Sequence, residues 1–202
     1  MSSAAAKRSG TRTRILEATW RLMEERSGQG VRMRDVAEAA GVSRQAVYDH
    51  FGSRADLMVA TVRHGDVVLG LDGRLRRYRA ATGGAERLGA FVEFWGNYVP
   101  EIHGIARALL AARENDEAVA AAWDDRMGVV YEACRDIVGQ LHRDGTLAPG
   151  WSLEEAADVL WTMLSISSWE SLVLERGWPV SRYVGRMQDL TRRAFVRGPE
   201  GA

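Results

Sequence analysis

The chain has 202 residues, of which 46% are hydrophobic and 27% are charged, and its 27 lysines and arginines balance 27 aspartates and glutamates. This length and composition are typical of a globular protein with one or two domains, and they exclude a disordered, collagen-like or disulfide-built chain. The zero net charge excludes a uniformly basic nucleic-acid coat, yet residues 1–60 carry ten basic and seven acidic side chains, which hints at a nucleic-acid-binding end.

The N-terminal part of the chain predicts four helices behind a short tail. Residues 1–10 are expected to form a disordered basic tail. Apolar side chains at helical spacing predict a helix from Thr11 to Arg26, and glycine or serine residues separate the segments that follow. Ser43 is a suitable N-cap for the third helix and Ser53 for the fourth. The remaining helices are expected at about 33–40, at 44–50 and from 53 on toward 79.

The rest of the chain predicts helices only, so the expected fold class is all-α. We find no alternating pattern that would indicate a strand. Ser152 and Glu155 fit a capping box at the start of one helix. Turn residues, Pro100 among them, separate expected helices at about 85–99, 101–113, 116–143, 153–176 and 180–196. The expected domains are a helix-turn-helix domain at 11–58 and a larger helical domain at 59–197.

The segment from Met33 to Phe51 is typical of a helix-turn-helix. Apolar residues, among them Val36, Ala37 and Val47, are expected to hold two short helices at a fixed angle across a glycine-containing turn. The third helix has only two turns, so one of its faces is expected to pack against the domain and the other to be exposed. The offered side chains are expected to be Arg44, Gln45, Ala46, Tyr48, Asp49 and His50. Arg and Gln can bind base edges, and Tyr and His can bind phosphate oxygens.

Residues 11–57 resemble the DNA-binding domain of the TetR family of transcriptional regulators. The stretches that carry the resemblance read ILEATWRLMEE, VRMRDVAEAAGVSRQAVYDHF and SRADL. The resemblance implies an N-terminal three-helix DNA-binding domain followed by a C-terminal helical domain for ligand binding and dimerisation. It implies a transcriptional regulator and not an enzyme.

The same resemblance assigns site residues by position. Arg44, Gln45 and Ala46 stand where the family reads bases, and Tyr48 and His50 stand where it touches backbone or a base edge. The sequence places Arg34 and Arg54 at phosphate-contact positions of the family. The family often has threonine as N-cap where this chain has Arg32, so helix two either frays there or Arg32 reaches a phosphate. Whether the N-terminal basic tail also seeks phosphate stays open.

One short recognition helix buries too little surface for tight specific binding, so a homodimer on a palindromic operator is expected. The predicted helix at 153–176 has two apolar stripes and therefore needs two partners. A fully intramolecular core is the alternative. The interface residues proposed from the sequence are Leu160, Leu164, Ser168, Met187 and Thr191, and the second stripe contains Val159, Met163, Ile166 and Val173.

Large aromatic side chains between residues 85 and 170 are typical of a small-molecule cavity, although a packed core is the alternative. The resemblance favours a pocket for a small apolar or aromatic inducer that releases a repressor from its operator. The candidate pocket residues are Trp95, Tyr98, His103, Arg107, Trp123, Met127 and Tyr131. The alternative function is a constitutive DNA-binding regulator whose C-terminal domain only dimerises or docks another protein.

Catalytic and metal-binding patterns are not found. The four histidines are scattered over different predicted helices, and Cys134 has no evident histidine partner. We therefore expect no enzyme activity, no cofactor and no metal site. The single cysteine and the absence of a run of about 18 apolar residues lead us to expect a reduced, cytoplasmic protein that does not enter the membrane.

Overall fold

The computed structural model describes residues 2–26 and 30–198, with side chains from residue 8 onward. Across these residues the structure is helical apart from turns and an isolated antiparallel bridge between Leu147 and Val196. The helices are α1 Ser2–Glu25, α2 Met33–Ala40, α3 Arg44–His50, α4 Arg54–Val68, α5 Leu71–Arg74, α6 Arg76–Ala80, α7 Gly84–Ala112, α8 Glu117–Arg143, α9 Leu153–Met163, α10 Ile166–Trp169 and α11 Val180–Phe195, with a π-helical turn at Glu170–Glu175 between α10 and α11.

The chain divides into two compact units. The first unit contains Met1–Leu69 and His103–Arg126, and the second contains Gly70–Ile102 and Met127–Ala202. The expected domain boundary after residue 58 falls inside α4, which is continuous to Val68. A boundary drawn from the end of a motif misses this grouping, because contacts between distant parts of the sequence decide which helix belongs to which unit.

In the first unit, α1 packs on α2 and α4, and α2 packs on α3. The contacting faces are apolar, as the helical spacing of the sequence predicts. Gly65 of α4 allows the closest approach, since a Cβ atom there would lie only 2.1 Å from the Trp20 ring of α1. The residues buried in this packing include Ile15, Leu16, Met23, Val36, Val47, Leu57 and Met58.

Three ion pairs tie α4 to the first part of α8 within the same unit. Arg54 pairs with Asp116, Arg63 pairs with Asp125, and Asp66 pairs with Arg126. The partners advance together along both segments, so α4 and the start of α8 run parallel to each other.

The second unit has its own apolar core. The Trp95 indole nitrogen of α7 donates a hydrogen bond of 2.6 Å to the backbone oxygen of Leu164. Gly96 lets α7 approach α11 closely, since a Cβ atom there would lie 2.7 Å from the Val184 side chain. The predicted capping box at the start of α9 is present, with Ser152 and Glu155 bonded to each other's backbone nitrogens.

The helix boundaries differ from the prediction at both ends of the helix-turn-helix segment. Helix α1 begins at Ser2, whereas a disordered tail was predicted through Gly10. The alanines and basic residues of this segment are good helix formers, and extending an existing helix avoids the cost of nucleation. Helix α4 ends at Val68 and does not reach Arg79, because the chain turns at Gly70 with a φ of 68°.

Two further boundaries were wrong in the larger helical part. Helix α7 continues through Pro100, where a break was predicted. Buried side chains on both sides, such as Val99 and Ile105, offset the roughly 3 kcal/mol that a proline costs inside a helix. The single helix predicted at 153–176 is interrupted after Leu164, because the Ser165 hydroxyl caps a new helix by accepting a hydrogen bond from the Ser168 nitrogen.

Among the described helices, none combines the length and the apolar content that crossing a membrane requires.

Candidate nucleic-acid interface

Local hydrogen bonds fix the start of α3. Helix α2 stops at Gly41, whose left-handed φ of 64° would strain other residues. The Val42 nitrogen then donates to the Ala37 oxygen at 2.9 Å. Ser43 caps α3 by accepting a hydrogen bond from the Ala46 nitrogen at 3.1 Å, as the sequence predicts. Val47, fully buried, anchors the inner face of α3.

The outer face of α3 carries polar side chains that are exposed and held in position. Arg44 and Gln45 are exposed, and the Tyr48 side chain is 37% exposed. The Arg44 guanidinium lies 5.5 Å from the centre of the Tyr48 ring and donates a long hydrogen bond of 3.5 Å to its hydroxyl. Gln45 donates a hydrogen bond of 2.9 Å to Asp49. These i, i+4 contacts limit side-chain freedom before a ligand binds.

The other α3 residues predicted to contact DNA lie at the edge of this face. Ala46 and His50 are both half-buried. The His50 ring is 6.3 Å from the Phe51 ring, centre to centre. The structure thus brings five of the predicted DNA-contacting residues together on one short helix.

At the start of α2, Arg32 occupies the N-cap position with an extended backbone, and its side chain forms no capping hydrogen bond. This confirms that the arginine does not replace the capping role of threonine. Arg32 and Arg34 are both exposed. A hydrogen bond of 2.6 Å from Arg26 outweighs the effect of partial burial and lowers the pKa of the neighbouring Asp35 carboxyl. Asp35 is therefore a stable anion that is already paired with Arg26.

Arg54 has different surroundings from those expected for a phosphate contact. Its Nε donates 2.6 Å to the Val31 oxygen, and its guanidinium donates 2.5 Å to Asp116. Asp116 also accepts hydrogen bonds from the Ala118 and Val119 nitrogens, which caps α8. Burial opposes ionisation of Asp116, but its bonds to Arg54 and these amides lower its pKa overall. In this conformation Arg54 links two helices and is not free to reach DNA.

The candidate ligand residues do not form one cluster within either unit. Trp95, Tyr98, Met127 and Tyr131 belong to the second unit, whereas His103, Arg107 and Trp123 belong to the first. The polar atoms of Trp95 and Tyr131 already have protein partners, since Trp95 donates to Leu164 and the Tyr131 hydroxyl donates 2.8 Å to Asp158. Neither group is available to a ligand in this conformation.

Sequence reasoning missed Tyr183, which lies on α11 in the second unit. Its side chain is fully buried, its hydroxyl has no hydrogen-bond partner among the described residues, and burial raises its pKa to about 12. An unpaired buried hydroxyl costs about 1–3 kcal/mol. The only sequence signal was its position on the buried face of α11, one turn before Met187.

The residues predicted for the dimer interface lie inside the single chain instead. Leu160, Leu164, Met187 and Thr191 are all buried, with at most 4% of each exposed. Ser168 bonds to Ser165 within the same chain. Leu160, Leu164, Met187 and Thr191 are therefore core residues, because α9 and α11 pack against their own unit. The large apolar side chains still exposed on or between these helices are Leu153, Val159, Leu174 and Leu190.

A family model for bacterial regulatory proteins of the tetR family matches residues 15–61, which contain α2, α3, the last part of α1 and the first part of α4. The HTH-type transcriptional activator FasR of Mycolicibacterium smegmatis is 29% identical over 131 residues, which is 64% of this chain. The chain spans only 58% of the length of that activator.

Solved structures share the fold over nearly the whole chain. A protein from Saccharomonospora viridis described as a transcriptional regulator, in complex with choline, has a TM-score of 0.71 and 21% identity, covering 94% of this chain and all of that one. The transcriptional regulator FadR from Bacillus subtilis, in complex with stearoyl-CoA, has a TM-score of 0.71 and 11% identity, covering 90% of this chain and 98% of that one.

The structural likeness at these identities establishes the fold, and the family model matches the helix-turn-helix segment. The α3 geometry agrees with both. Over residues 15–61 the chain is similar to bacterial regulatory proteins of the tetR family.

Proposed function

We propose that this protein is a homodimeric, sequence-specific DNA-binding regulator that a small ligand releases from its operator. The observation that carries the proposal is the outer face of α3, where Arg44, Gln45 and Tyr48 are exposed while Val47 is fully buried. Arg and Gln recognise base edges in the major groove, and Tyr can bind the phosphate backbone. Arg32 and Arg34, both exposed at the start of α2, supply further phosphate contacts in this proposal.

A second copy of the chain completes the site. One seven-residue helix offers too little surface, because specific DNA interfaces bury about 1,000–2,500 Å² of protein. The exposed Val159, Leu174 and Leu190 side chains support an interface on the outward side of α9, α11 and the π-helical turn. This replaces the interface residues inferred from the sequence, which are buried in the core.

A small apolar or aromatic molecule is the proposed effector. The two structural relatives described above were solved with choline and with stearoyl-CoA, so this fold accommodates ligands of different chemistry. In this chain, the buried and unpaired Tyr183 hydroxyl is a suitable hydrogen-bond donor for such a molecule. We propose Tyr183 as a ligand contact in place of Trp95 and Tyr131, whose polar atoms are already bonded.

The proposed release follows from differential binding. A ligand shifts an equilibrium only by its difference in affinity for the two states. The three ion pairs between α4 and the start of α8 provide a mechanical connection, because α4 directly follows α3. A ligand that favours a displaced α8 would therefore move α3 and alter the spacing of the two recognition helices.

The experiment that tests DNA recognition starts with selection of bound fragments from genomic DNA. Wild-type protein and Arg44→Ala are then titrated on the selected duplex and on a scrambled duplex of equal length. We expect Arg44→Ala to lose about 1–3 kcal/mol on the selected duplex and little on the scrambled one. Equal affinity of the wild type for both duplexes would contradict the proposal.

Ligand control and constitutive binding are separated by challenging the operator complex with choline and with stearoyl-CoA. Release by either molecule supports a ligand-controlled regulator. Retention of the complex under both contradicts release by these two molecules. We propose that the protein represses transcription. Because FasR is an activator, a promoter-reporter assay is needed to distinguish repression from activation.

A further inference from the structure

The first part of α1 is a basic segment on a continuous helix. Lys7, Arg8, Arg12 and Arg14 precede the first acidic residue, Glu17. Because α1 runs unbroken from Ser2, Arg8 and Arg12 lie one turn apart on the same side of the helix. We call these two residues the N-terminal basic face.

This face adjoins the recognition helix. Phe51 is the residue that immediately follows α3, and the Arg12 guanidinium lies 5.0 Å from the centre of its ring. Arg8 lines a groove of about 540 Å³ together with Ala46, Asp49 and His50 of α3. Two of these α3 residues, Ala46 and His50, are among those that the family resemblance predicts to contact DNA.

The charge of Arg8 is available in this groove. Its side chain is exposed and forms no ion pair within the part of the chain that the structure describes. The acidic residue of the groove, Asp49, already accepts a hydrogen bond from Gln45 at 2.9 Å. An unpaired guanidinium beside a DNA-binding helix is suited to neutralise a phosphate, a contact that adds affinity without reading sequence.

We infer that the N-terminal basic face is a second DNA-binding surface, in which Arg8 contacts the phosphate backbone next to the bases that α3 reads. The partner is duplex DNA, and the inference rests on the proposed function. The stacking of Arg12 on Phe51 holds this end of α1 against the recognition helix. The surface therefore enlarges each half-site contact beyond the helix-turn-helix itself.

The test compares Arg8→Gln with Arg14→Gln. Both changes remove one positive charge from the same helix and insert the same good helix former. Arg14 is exposed but does not line the groove with α3, so it is the matched control. Dissociation constants are measured for the selected duplex and a scrambled duplex over roughly 50–200 mM salt.

We expect Arg8→Gln to weaken binding to both duplexes by the same factor. The slope of log K against log salt should become shallower by about 0.9, the contribution of one phosphate contact on B-DNA. Arg14→Gln should keep the wild-type slope. A wild-type slope for Arg8→Gln, or identical slopes for the two variants, would overturn the inference.

The outcomes also separate this inference from the proposed function. A shallower slope for Arg8→Gln in a protein without operator preference would support the basic face and contradict sequence-specific recognition. Operator preference together with a wild-type slope for Arg8→Gln would support sequence-specific recognition and contradict DNA binding by the N-terminal basic face. No DNA binding by the wild type would contradict both.

Discussion

Arg34 and Arg54 each lie in the first turn of a helix, but their guanidinium groups have different surroundings. The Arg34 side chain is 76% exposed, with Asp35 3.8 Å away. The Arg54 side chain is 26% exposed and bonds to Val31 and Asp116. An exposed arginine can bind a phosphate with little loss of other interactions, whereas an arginine that is already hydrogen-bonded must first break those bonds. Residues that the family resemblance treats alike are thus distinguished by their contacts.

We therefore expect substitution of Arg54 to change protein stability, and substitution of Arg34 to change the salt dependence of DNA binding. Arg54→Ala should destabilise the protein by about 1–3 kcal/mol, because Asp116 loses its charged partner, and should leave the salt dependence of DNA binding unchanged. Arg34→Ala should keep the stability and reduce the salt slope by about 0.9. Chemical denaturation and the salt series described above measure these effects. A reduced slope for Arg54→Ala would show that Arg54 releases Asp116 to bind phosphate.

Helix packing in the first unit depends on a glycine where two helices meet. Gly65 of α4 lies against the Trp20 ring of α1, and a methyl group at this position has no room. Gly128 of α8 is also helical, but nothing lies within 4 Å of the position that its Cβ would occupy. The two glycines share a residue type and a secondary structure and differ in their neighbours.

Substituting alanine at the two positions should change protein stability in opposite directions. Gly65→Ala should destabilise the protein by about 1–3 kcal/mol, because the Trp20 ring must move out of its packed position. Gly128→Ala should stabilise it by about 0.5–1 kcal/mol, because alanine is the better helix former and meets no atoms. Thermal or chemical unfolding measures both. Stabilisation by Gly65→Ala would contradict the packing of α1 on α4.

Across the whole molecule, several carboxyl groups have a lowered pKa because hydrogen-bond donors hold their ionised forms. In the first unit these groups are Asp35 and Asp116. In the second unit, Asp144 accepts from the Gly84 nitrogen at 2.6 Å and from Gln140 at 2.7 Å, and Glu155 caps α9 through Ser152. A lowered folded pKa means that protons favour the unfolded chain in acid.

Stability should therefore be lost in acid. The carboxyl contribution is complete above the unfolded pKa values near 4 and disappears as the pH falls through the lower folded values. Asp144→Asn should reduce the free energy of unfolding at pH 7, and its difference from wild type should shrink toward acid, where Asp144 itself becomes neutral. Urea unfolding over a pH series measures this. A difference that stays constant into acid would exclude an ionic role for Asp144.

Assembly is the second prediction at the scale of the molecule. Val159 is 37% exposed on α9, and Val67 is 76% exposed on α4 in the first unit. Val159→Glu should raise the dimer dissociation constant at least about tenfold by placing a charge in the interface. Val67→Glu makes the same chemical change away from the proposed interface and should have no such effect. Sedimentation equilibrium measures both, and equal effects would argue against an interface at α9.

Local patterns in the sequence were enough to predict the helix-turn-helix, the serine caps and the outer face of α3. Residues three or four apart, such as Arg44 and Tyr48, share a helix face whatever the rest of the chain does. A cap likewise involves neighbours only, so Ser43 and Ser152 could be recognised from their spacing. Helical character was equally clear from apolar spacing over long segments.

Only the tertiary structure decided which charged or apolar side chains are left exposed and unpaired. Asp116 lies 62 residues after Arg54, so no local pattern shows that it pairs with that arginine. Similarly, two apolar stripes on one helix look equivalent until packing buries Leu160 and leaves Val159 exposed. Local interactions select the helices, whereas burial and long-range pairing select which of their side chains can meet a partner.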